Sequence, residues 1–426
     1  VKVALYTLGC KLNQAETESL VNHFRMAGFH TVSPDAVADI YIANTCTVTH
    51  IADRKSRHWL RVVRRRNPRA LVIATGCYAQ RSRLDLAPLA DLVVGNDDKD
   101  KLVTLTRPLW PDARSLPQVE PRHPQSPTAD TRVRSLIKIQ DGCHRSCTYC
   151  IVPHVRPHEY SLTADRIVED IQDRVASGYR EVVLTGTRVG SYRSNGADLK
   201  GLVEHILGST YVERLRISSL QPSEVSSSLL ALWEDERLCR HFHLALQSGS
   251  VAVLERMGRG YSPDDYRRAL DFIRDRMPDA SITTDIIVGF PGESDEEFEE
   301  SYSFCRQSGF ANIHVFPFSA RPGTAAAIMA GQIDAKVRQE RNRQMLEMSV
   351  EAQRLHCERF LGWTMKVLWE RETEPGSHIY SGLTGNYLRV LARSERPLSN
   401  EITPATLTET CAEGMRAEVM PVTALR

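Results

Sequence analysis

Three cysteines, Cys143, Cys147 and Cys150, fall within eight residues of the stretch Asp141-Gly142-Cys143-His144-Arg145-Ser146-Cys147-Thr148-Tyr149-Cys150. The pattern is C-x-x-x-C-x-x-C, and it follows the apolar run Leu136-Ile137-Lys138-Ile139. Thiolate is the ligand that iron–sulfur clusters and zinc both select. Three thiolates are one short of a closed tetrahedral structural site. A [4Fe–4S] cluster held by three cysteines keeps one iron open to a further ligand. The alternative is a zinc loop completed by a nearby histidine, His144 or His154. Structural zinc spacings usually pair one C-x(2–4)-C with a second such pair, which favours the cluster.

A second set of thiols is dispersed. Cys10 stands in Leu8-Gly9-Cys10, Cys46 in Asn44-Thr45-Cys46 and Cys77 in Thr75-Gly76-Cys77. Each lies just past the carboxyl end of a strand-like run, where open parallel sheets bind ligands. The glycines before Cys10 and Cys77 let backbone approach a bulky group. A single cysteine so placed is more often a small buried hydrophobe. Three equivalent placements point to a second cluster site. Cys239, Cys305, Cys357 and Cys411 have no such partners and read as structural.

The elements that must position these thiols follow from periodicity. Residues 1–106 alternate strand runs (1–8, 40–43, 71–74, 92–94) with helices (14–27, 54–66), which predicts a doubly wound parallel sheet. The second helix carries Arg54, Lys55, Arg57, Arg61, Arg64, Arg65 and Arg66, with Arg69 beyond it. So many cations exceed what a solvated face needs, and phosphate binding is the sharper reading. Residues 107–131 hold Pro108, Pro111, Pro117, Pro121, Pro124 and Pro127 among polar residues and read as a linker.

Residues 132–360 contain six apolar runs (136–139, 181–184, 215–217, 242–246, 282–288, 313–318) separated by helical stretches. They predict a partial (β/α)6 barrel with its chemistry at the carboxyl ends of the strands. Besides the cysteine loop, those ends include Thr185-Gly186-Thr187, Ser218-Ser219-Leu220, Gln247-Ser248-Gly249, Gly289-Phe290-Pro291-Gly292-Glu293 and Ser319-Ala320. Glycines and small hydroxyls suit a flat nucleoside and an amino acid moiety. Residues 361–426 change to short strands broken by Pro and Gly, as in a small β-barrel of the nucleic-acid-binding type. Arg389, Arg393 and Arg396 there are weaker phosphate candidates.

The net charge is +1, so nucleic-acid binding must come from local patches. No apolar run approaches the length of a membrane-spanning helix. The chain opens on a strand without an export signal, which predicts a cytoplasmic protein, and its ten cysteines then serve metal or redox chemistry and not disulfides.

The cysteine loop resembles the signature of radical S-adenosylmethionine (SAM) enzymes, and the whole chain resembles the radical-SAM methylthiotransferases. The matching stretches are Thr7-Leu8-Gly9-Cys10-Lys11-Leu12-Asn13-Gln14, Asn44-Thr45-Cys46, Thr75-Gly76-Cys77-Tyr78, Thr148-Tyr149-Cys150-Ile151-Val152-Pro153, Leu246-Gln247-Ser248-Gly249-Ser250 and Gly289-Phe290-Pro291-Gly292-Glu293. The resemblance implies an auxiliary [4Fe–4S] cluster on Cys10, Cys46 and Cys77, and a SAM-binding [4Fe–4S] cluster on Cys143, Cys147 and Cys150. It places Tyr149 near the adenine of SAM; Gly186, Ser218, Gln247 and Gly289 are the further cofactor-contact candidates, from their place at the carboxyl ends of the barrel strands. The C-terminal piece looks like the family's TRAM domain. No catalytic side chain beyond the clusters is implied. The implied partners are tRNA, an electron donor and a sulfur donor.

Within the family, Gly9-Cys10-Lys11-Leu12-Asn13-Gln14 and Gly186-Thr187-Arg188-Val189-Gly190-Ser191-Tyr192 are similar to the branch acting on N(6)-threonylcarbamoyladenosine beside the anticodon. That branch implies two uses of SAM. One methylates sulfur carried on the auxiliary cluster; the other yields the 5′-deoxyadenosyl radical that enables attack at carbon 2 of the adenine. Arg156 and Arg188 are candidates to meet the threonyl carboxylate, and Arg64, Arg65 and Arg66 to meet tRNA phosphates. One stretch departs from the family: Arg156-Pro157-His158-Glu159-Tyr160-Ser161 has proline where glycine is usual, so this loop is expected to sit differently. The alternatives are methylthiolation of isopentenyladenosine in tRNA, methylthiolation of a ribosomal-protein aspartate, or a non-catalytic iron–sulfur protein that binds RNA or carries electrons.

Overall fold

Strands buried on both faces read as near-continuous apolar runs, and the N-terminal region of the computed structural model is built from such strands. The structure describes residues 1–110 and 133–420. Strands β1 (Lys2–Thr7), β2 (His30–Val32), β3 (Ile40–Thr45), β4 (Leu71–Gly76) and β5 (Leu92–Val93) form one parallel sheet in the order β2-β1-β3-β4-β5. Val3, Leu5, Ile40 and Ile42 point to one face and pack on Leu20 and Phe24 of helix α1 (Lys11–Met26). Ala4, Tyr41 and Ala43 point to the other and pack on Trp59, Leu60 and Val63 of helix α2 (His50–Arg66). The sheet is doubly wound, as the alternation predicts. From β1 the chain turns to β2 on one side and later resumes at β3 on the other, so a topological switch point lies between β1 and β3. The short edge strand β2 was not anticipated, because three mostly polar residues carry no alternation.

The expected linker over 107–131 lies outside the described residues apart from its start, where Arg107–Leu109 form a 3-10 turn.

The central region follows with β6 (Arg134–Asp141), β7 (Tyr160–Ser161), β8 (Glu181–Gly186), the small hairpin of β9 (Arg193–Ser194) and β10 (Ala197–Asp198), β11 (Arg214–Ile217), β12 (Ser219–Leu220), β13 (His241–Leu244), β14 (Ser281–Val288) and β15 (Asn312–Pro317). The six runs read from the sequence fall on β6, β8, β11, β13, β14 and β15. They form two half-sheets, β11-β8-β6-β7 and β12-β13-β14-β15, and Leu215 of β11 makes an isolated parallel bridge to Leu238, just before β13. One continuous core runs through both halves, from Ile137 and Leu184 to Ile286 and Ile313. Ala15 of α1 packs on Leu136 and Val183 of the first half-sheet, which brings the N-terminal sheet against the barrel.

Strands β16 (Thr364–Glu372), β17 (Ile379–Thr384), β18 (Arg389–Arg393), β19 (Ile402–Cys411) and β20 (Gly414–Val419) close into a barrel around Val367, Trp369, Leu407 and Met415. Closure leaves no strand edge unpaired. No described helix is long and apolar enough to cross a membrane.

Candidate active site

The switch-point edge of the N-terminal sheet gathers the dispersed thiols. Cys10 caps the N-terminus of α1, Cys46 follows β3, and Cys77 opens the short helix α3 (Cys77–Arg81) directly after β4. Gly9 has φ +97°, and a Cβ there would lie 2.6 Å from Cys46 Sγ, so these two turns are in contact. Asn13 sits among the three turns: its Nδ2 donates to the carbonyls of Leu8 (2.9 Å) and Thr45 (3.1 Å), and the Cys77 thiol points at its Oδ1 at 4.0 Å. Asn96 Nδ2 approaches Cys77 Sγ at 3.7 Å. Cys10 is exposed; Cys46 and Cys77 are buried. Burial pushes the Cys46 thiol up to about 12. A thiol so placed becomes a thiolate when a metal's charge replaces its proton.

The contiguous triad is fixed from outside its own loop. Thr148 donates its N–H to the Met257 carbonyl (3.0 Å) and its hydroxyl to the Arg256 carbonyl (2.8 Å), while its own carbonyl accepts from Ala326 N–H (2.8 Å). Gly142 has φ +74°, and a Cβ there would meet the His158 carbonyl oxygen at 2.1 Å. The segment departing from the family pattern therefore wraps the cysteine loop: Glu159 accepts from His144 N–H (3.2 Å) and from the Ser191 hydroxyl (2.8 Å). Burial raises the Cys150 thiol to about 11. Arg259 brings the nearest cation, with Nη1 3.4 Å from both Cys147 Sγ and the Tyr149 hydroxyl. Sequence reasoning missed Arg259, whose only local signal is its place between Gly258 and Gly260.

Sulfur spacing bears on which metal fits. Zinc–sulfur bonds of about 2.3 Å put tetrahedral thiolates about 3.8 Å apart. Among the described residues, the group of three potential ligands whose donor atoms all lie within 4.8 Å of one another is His243, Asp285 and His314. Neither cysteine triad is drawn that tight, with or without a neighbouring histidine. Thiolates on different irons of one cluster stand farther apart than the ligands of a single zinc ion, so this spread is compatible with a cluster.

Comparison with known proteins agrees with this geometry. Residues 137–305 match the Radical SAM superfamily, and residues 2–95 match the Uncharacterized protein family UPF0004. Threonylcarbamoyladenosine tRNA methylthiotransferase MtaB of Aquifex aeolicus is 37% identical, over 92% of this chain and 96% of that one. Its namesake in Bacillus subtilis is 34% identical, over 94% and 92%. The chain belongs to the radical-SAM methylthiotransferase family. A tRNA-2-methylthio-N(6)-dimethylallyladenosine synthase from Syntrophotalea carbinolica is also similar, at 31% identity over 95% and 96%. The radical SAM methyltransferase TsrM of Kitasatospora setae, solved with a SAM analogue and tryptophan, shares the fold at TM-score 0.57 and 15% identity, over 77% of this chain and 75% of that one. As a radical-SAM methylthiotransferase the protein is an enzyme that uses SAM and two [4Fe–4S] clusters.

The residues expected around SAM take different positions in this methylthiotransferase. Gly186 ends β8 so close to β6 that a Cβ would lie 2.8 Å from the Gln140 carbonyl. Ser218 is buried, and its N–H donates to the Leu184 carbonyl (3.0 Å). Gln247 has φ 72°, a left-handed conformation that only its surroundings hold: its N–H donates to Asp285 O (2.8 Å) and its carbonyl accepts from Ile287 N–H (2.9 Å). Among the described residues the nearby buried Ser250 hydroxyl has no hydrogen-bond partner. Gly289 is packed instead by Arg338 of the helix Ala335–Glu358, whose Cγ a Cβ would meet at 2.7 Å. That contact gives this glycine a structural reason independent of any cofactor.

The substrate candidates divide likewise. Arg156 is buried, and its fork is filled by Glu16 (2.7 and 2.9 Å), Asp141 (2.7 and 2.8 Å) and Asn13 (2.9 Å). Lys138 and Lys99 join the same carboxylates. Asn13 belongs to one triad and Asp141 precedes the other, so this network ties the two sites together. Arg188 Nε donates to Glu224 (2.7 Å). On α2, Arg64 pairs with Asp91 (2.6 Å) and Arg66 donates to the Pro34 carbonyl (2.8 Å), while Arg65 points outward with Arg54, Lys55 and Arg61.

Proposed function

We propose that this protein adds a methylthio group to carbon 2 of N(6)-threonylcarbamoyladenosine beside the anticodon of tRNA. The observation that carries the reading is the pair of cysteine triads, Cys10–Cys46–Cys77 for the auxiliary cluster and Cys143–Cys147–Cys150 for the SAM cluster, held in register by the Arg156 network. The MtaB relatives of Aquifex aeolicus, Bacillus subtilis and Thermotoga maritima, at 34–37% identity, carry that substrate in their names. When bound, SAM and the clusters supply the methyl group, the sulfur and the radical that an unactivated aromatic C–H demands.

The chain's own share is placement and electrostatics. Arg259 donates toward Cys147 Sγ and stabilises negative charge at the SAM triad. Arg156 fixes one triad relative to the other, and a misplacement of about 1 Å between reacting groups costs on the order of 100-fold in rate. Tyr149, Gly186, Ser218 and Gln247 line the SAM side. The outward cations Arg54, Lys55, Arg61 and Arg65 of α2, with the C-terminal barrel, grip tRNA phosphates. The working units are residues 1–106 for the auxiliary cluster, 132–360 for radical chemistry and 361–426 for RNA, with 107–131 as linker. The reaction takes electrons and sulfur from external donors, and its setting is the cytoplasm.

The reconstituted enzyme, incubated with SAM, reductant and tRNA bearing threonylcarbamoyladenosine, should form 5′-deoxyadenosine and the 2-methylthio nucleoside together by mass spectrometry. Activity confined to tRNA bearing isopentenyladenosine would overturn the assignment.

A further inference from the structure

With Arg156 and Arg188 engaged by protein carboxylates, the cation for the threonyl carboxylate has to be sought elsewhere. A cavity of about 1030 Å³ opens between α1, the first half-sheet and the C-terminal barrel. Four cations of its wall are spoken for or peripheral: Arg134 and Arg389 pair with Glu370 (2.8 and 2.5 Å), Arg216 pairs with Glu181 (2.8 Å), and Arg371 stands exposed. Lys11 is the fifth. It is half-buried in the first turn of α1, one residue past Cys10, and among the described residues no carboxylate or hydrogen-bond acceptor lies within bonding distance of its ammonium. The ionisable groups near enough to act on it are Tyr387, Arg216, Arg134 and Asp285.

Two further observations mark this wall as a binding surface. Tyr387 has φ 73°, a strained conformation for a bulky residue. It is held there by its N–H to the Thr384 carbonyl (3.1 Å), with its ring stacked on His241 (4.3 Å) and beside the Arg216 guanidinium (4.9 Å). The C-terminal barrel thus contributes Tyr387 to the cavity wall, packed against His241 and Arg216. Asp285, in turn, accepts on its carbonyl from Gln247 N–H, so the charged wall near Lys11 is continuous with the strand end that lines the SAM side. Lys11 therefore stands one residue past an auxiliary-cluster ligand, on the wall of a cavity shared by α1, the first half-sheet and the C-terminal barrel.

We propose that Lys11 binds the carboxylate of the threonylcarbamoyl group and so selects this nucleoside over those with apolar N(6) substituents. The proposal rests on the substrate reading above. A carboxylate meets the ammonium in a charge-assisted hydrogen bond. An isopentenyl group would leave the same ammonium desolvated and unpaired, which discriminates against it.

A double-mutant cycle between residue and ligand tests this. The holoenzyme and its Lys11→Met variant are each titrated with an anticodon stem-loop carrying threonylcarbamoyladenosine, and with one whose threonyl carboxylate is a primary amide. The wild type should bind the acid at least tenfold more tightly than the amide, and Lys11→Met should bind both alike. Lys11→Gln, which retains a polar chain, carries the same expectation if Lys11→Met does not hold its iron. An undiminished preference for the acid in these variants overturns the proposal, as does a wild type without preference. An equal loss for acid and amide assigns Lys11 to a group common to both, such as a phosphate, and overturns it too. Because binding is read without turnover, a wild type that prefers the acid but never methylthiolates it would sink the functional reading and leave the Lys11 contact standing.

Discussion

Cys143, Cys147 and Cys150 share one loop, whereas Cys10, Cys46 and Cys77 come from three strand ends between positions 10 and 77. The first triad is local in sequence but depends on distant clamps, Met257 and Ala326, to hold Thr148. The second is distant in sequence, yet a single side chain, Asn13, bridges its turns. Contiguity fixes which residues can ligate; only packing fixes where the site points. For the dispersed triad the parallel sheet does both, because β1, β3 and β4 are neighbours and end at the same edge.

The strongest way to break this comparison is to empty one site at a time. Replacing Cys143, Cys147 and Cys150 with Ala should remove about half of the iron and all SAM cleavage if each triad holds one cluster, as proposed. Replacing Cys10, Cys46 and Cys77 should remove the other half, spare SAM cleavage and stop sulfur insertion. Loss of all iron from either variant would mean that the sites are not independent.

The link between the sites comes next. Arg156→Met removes the guanidinium that Glu16 and Asp141 share and leaves them to Lys99 and Lys138, and breaking a buried ion pair costs up to about 3–5 kcal/mol. Both clusters should still assemble, but thermal stability should fall by several degrees and methylthiolation should fall more than SAM cleavage. Equal losses in the two activities would show that the network only stabilises the fold.

Single glycines should separate the triads more gently. Gly142→Ala sets a Cβ against the His158 carbonyl and Gly9→Ala sets one against Cys46 Sγ, both at positive φ. Each should cost more than about 1 kcal/mol of local stability. Iron and electron paramagnetic resonance should show a weakened SAM cluster in the first and a weakened auxiliary cluster in the second.

What was legible in the sequence follows the same division. The C-x-x-x-C-x-x-C loop and the six barrel strands are local patterns, and the structure has them where the runs fall. The dispersed triad was legible because each cysteine follows an apolar run, and strand ends of a parallel sheet converge. Side-chain pairing was not legible. Arg156 and Arg188 were read as facing substrate, but their partners Glu16 and Glu224 lie far off in sequence and meet them only through packing. Arg64 and Arg66 look like Arg65 on paper; the turn of α2 sends them to Asp91 and Pro34 while Arg65 remains outward. Arg259 and Tyr387 gave no sign, and Lys11 showed only as part of the branch-like stretch Gly9–Gln14, because an unpaired cation or a positive φ is a property of the folded chain.

The last expected effect concerns acid, and at the link between the triads it is nil. Cations beside Glu16 and Asp141 outweigh the burial that opposes their ionisation and hold both carboxyls below their ordinary values of 4.5 and 3.8. Their contribution is present above those values and is lost only as pH falls through the still lower folded ones, so the link between the triads should not change between pH 7 and pH 5. His356, behind the barrel, behaves oppositely. Burial lowers it to about 4, and it is 4% exposed with its ring 2.7 Å from the Ser281 hydroxyl. Between its ordinary 6.5 and about 4 the unfolded chain takes up a proton that the folded chain refuses. Stability is therefore full above that window and declines through it, by about 2 kcal/mol at pH 5. His241, lowered by burial as well, adds in the same direction. Urea midpoints at pH 7 and pH 5 should differ in the wild type, differ by the same amount in Glu16→Gln, and differ less in His356→Gln. If Glu16→Gln instead abolished the difference, the acid-sensitive element would be the network joining the two triads, and the barrel would be exonerated.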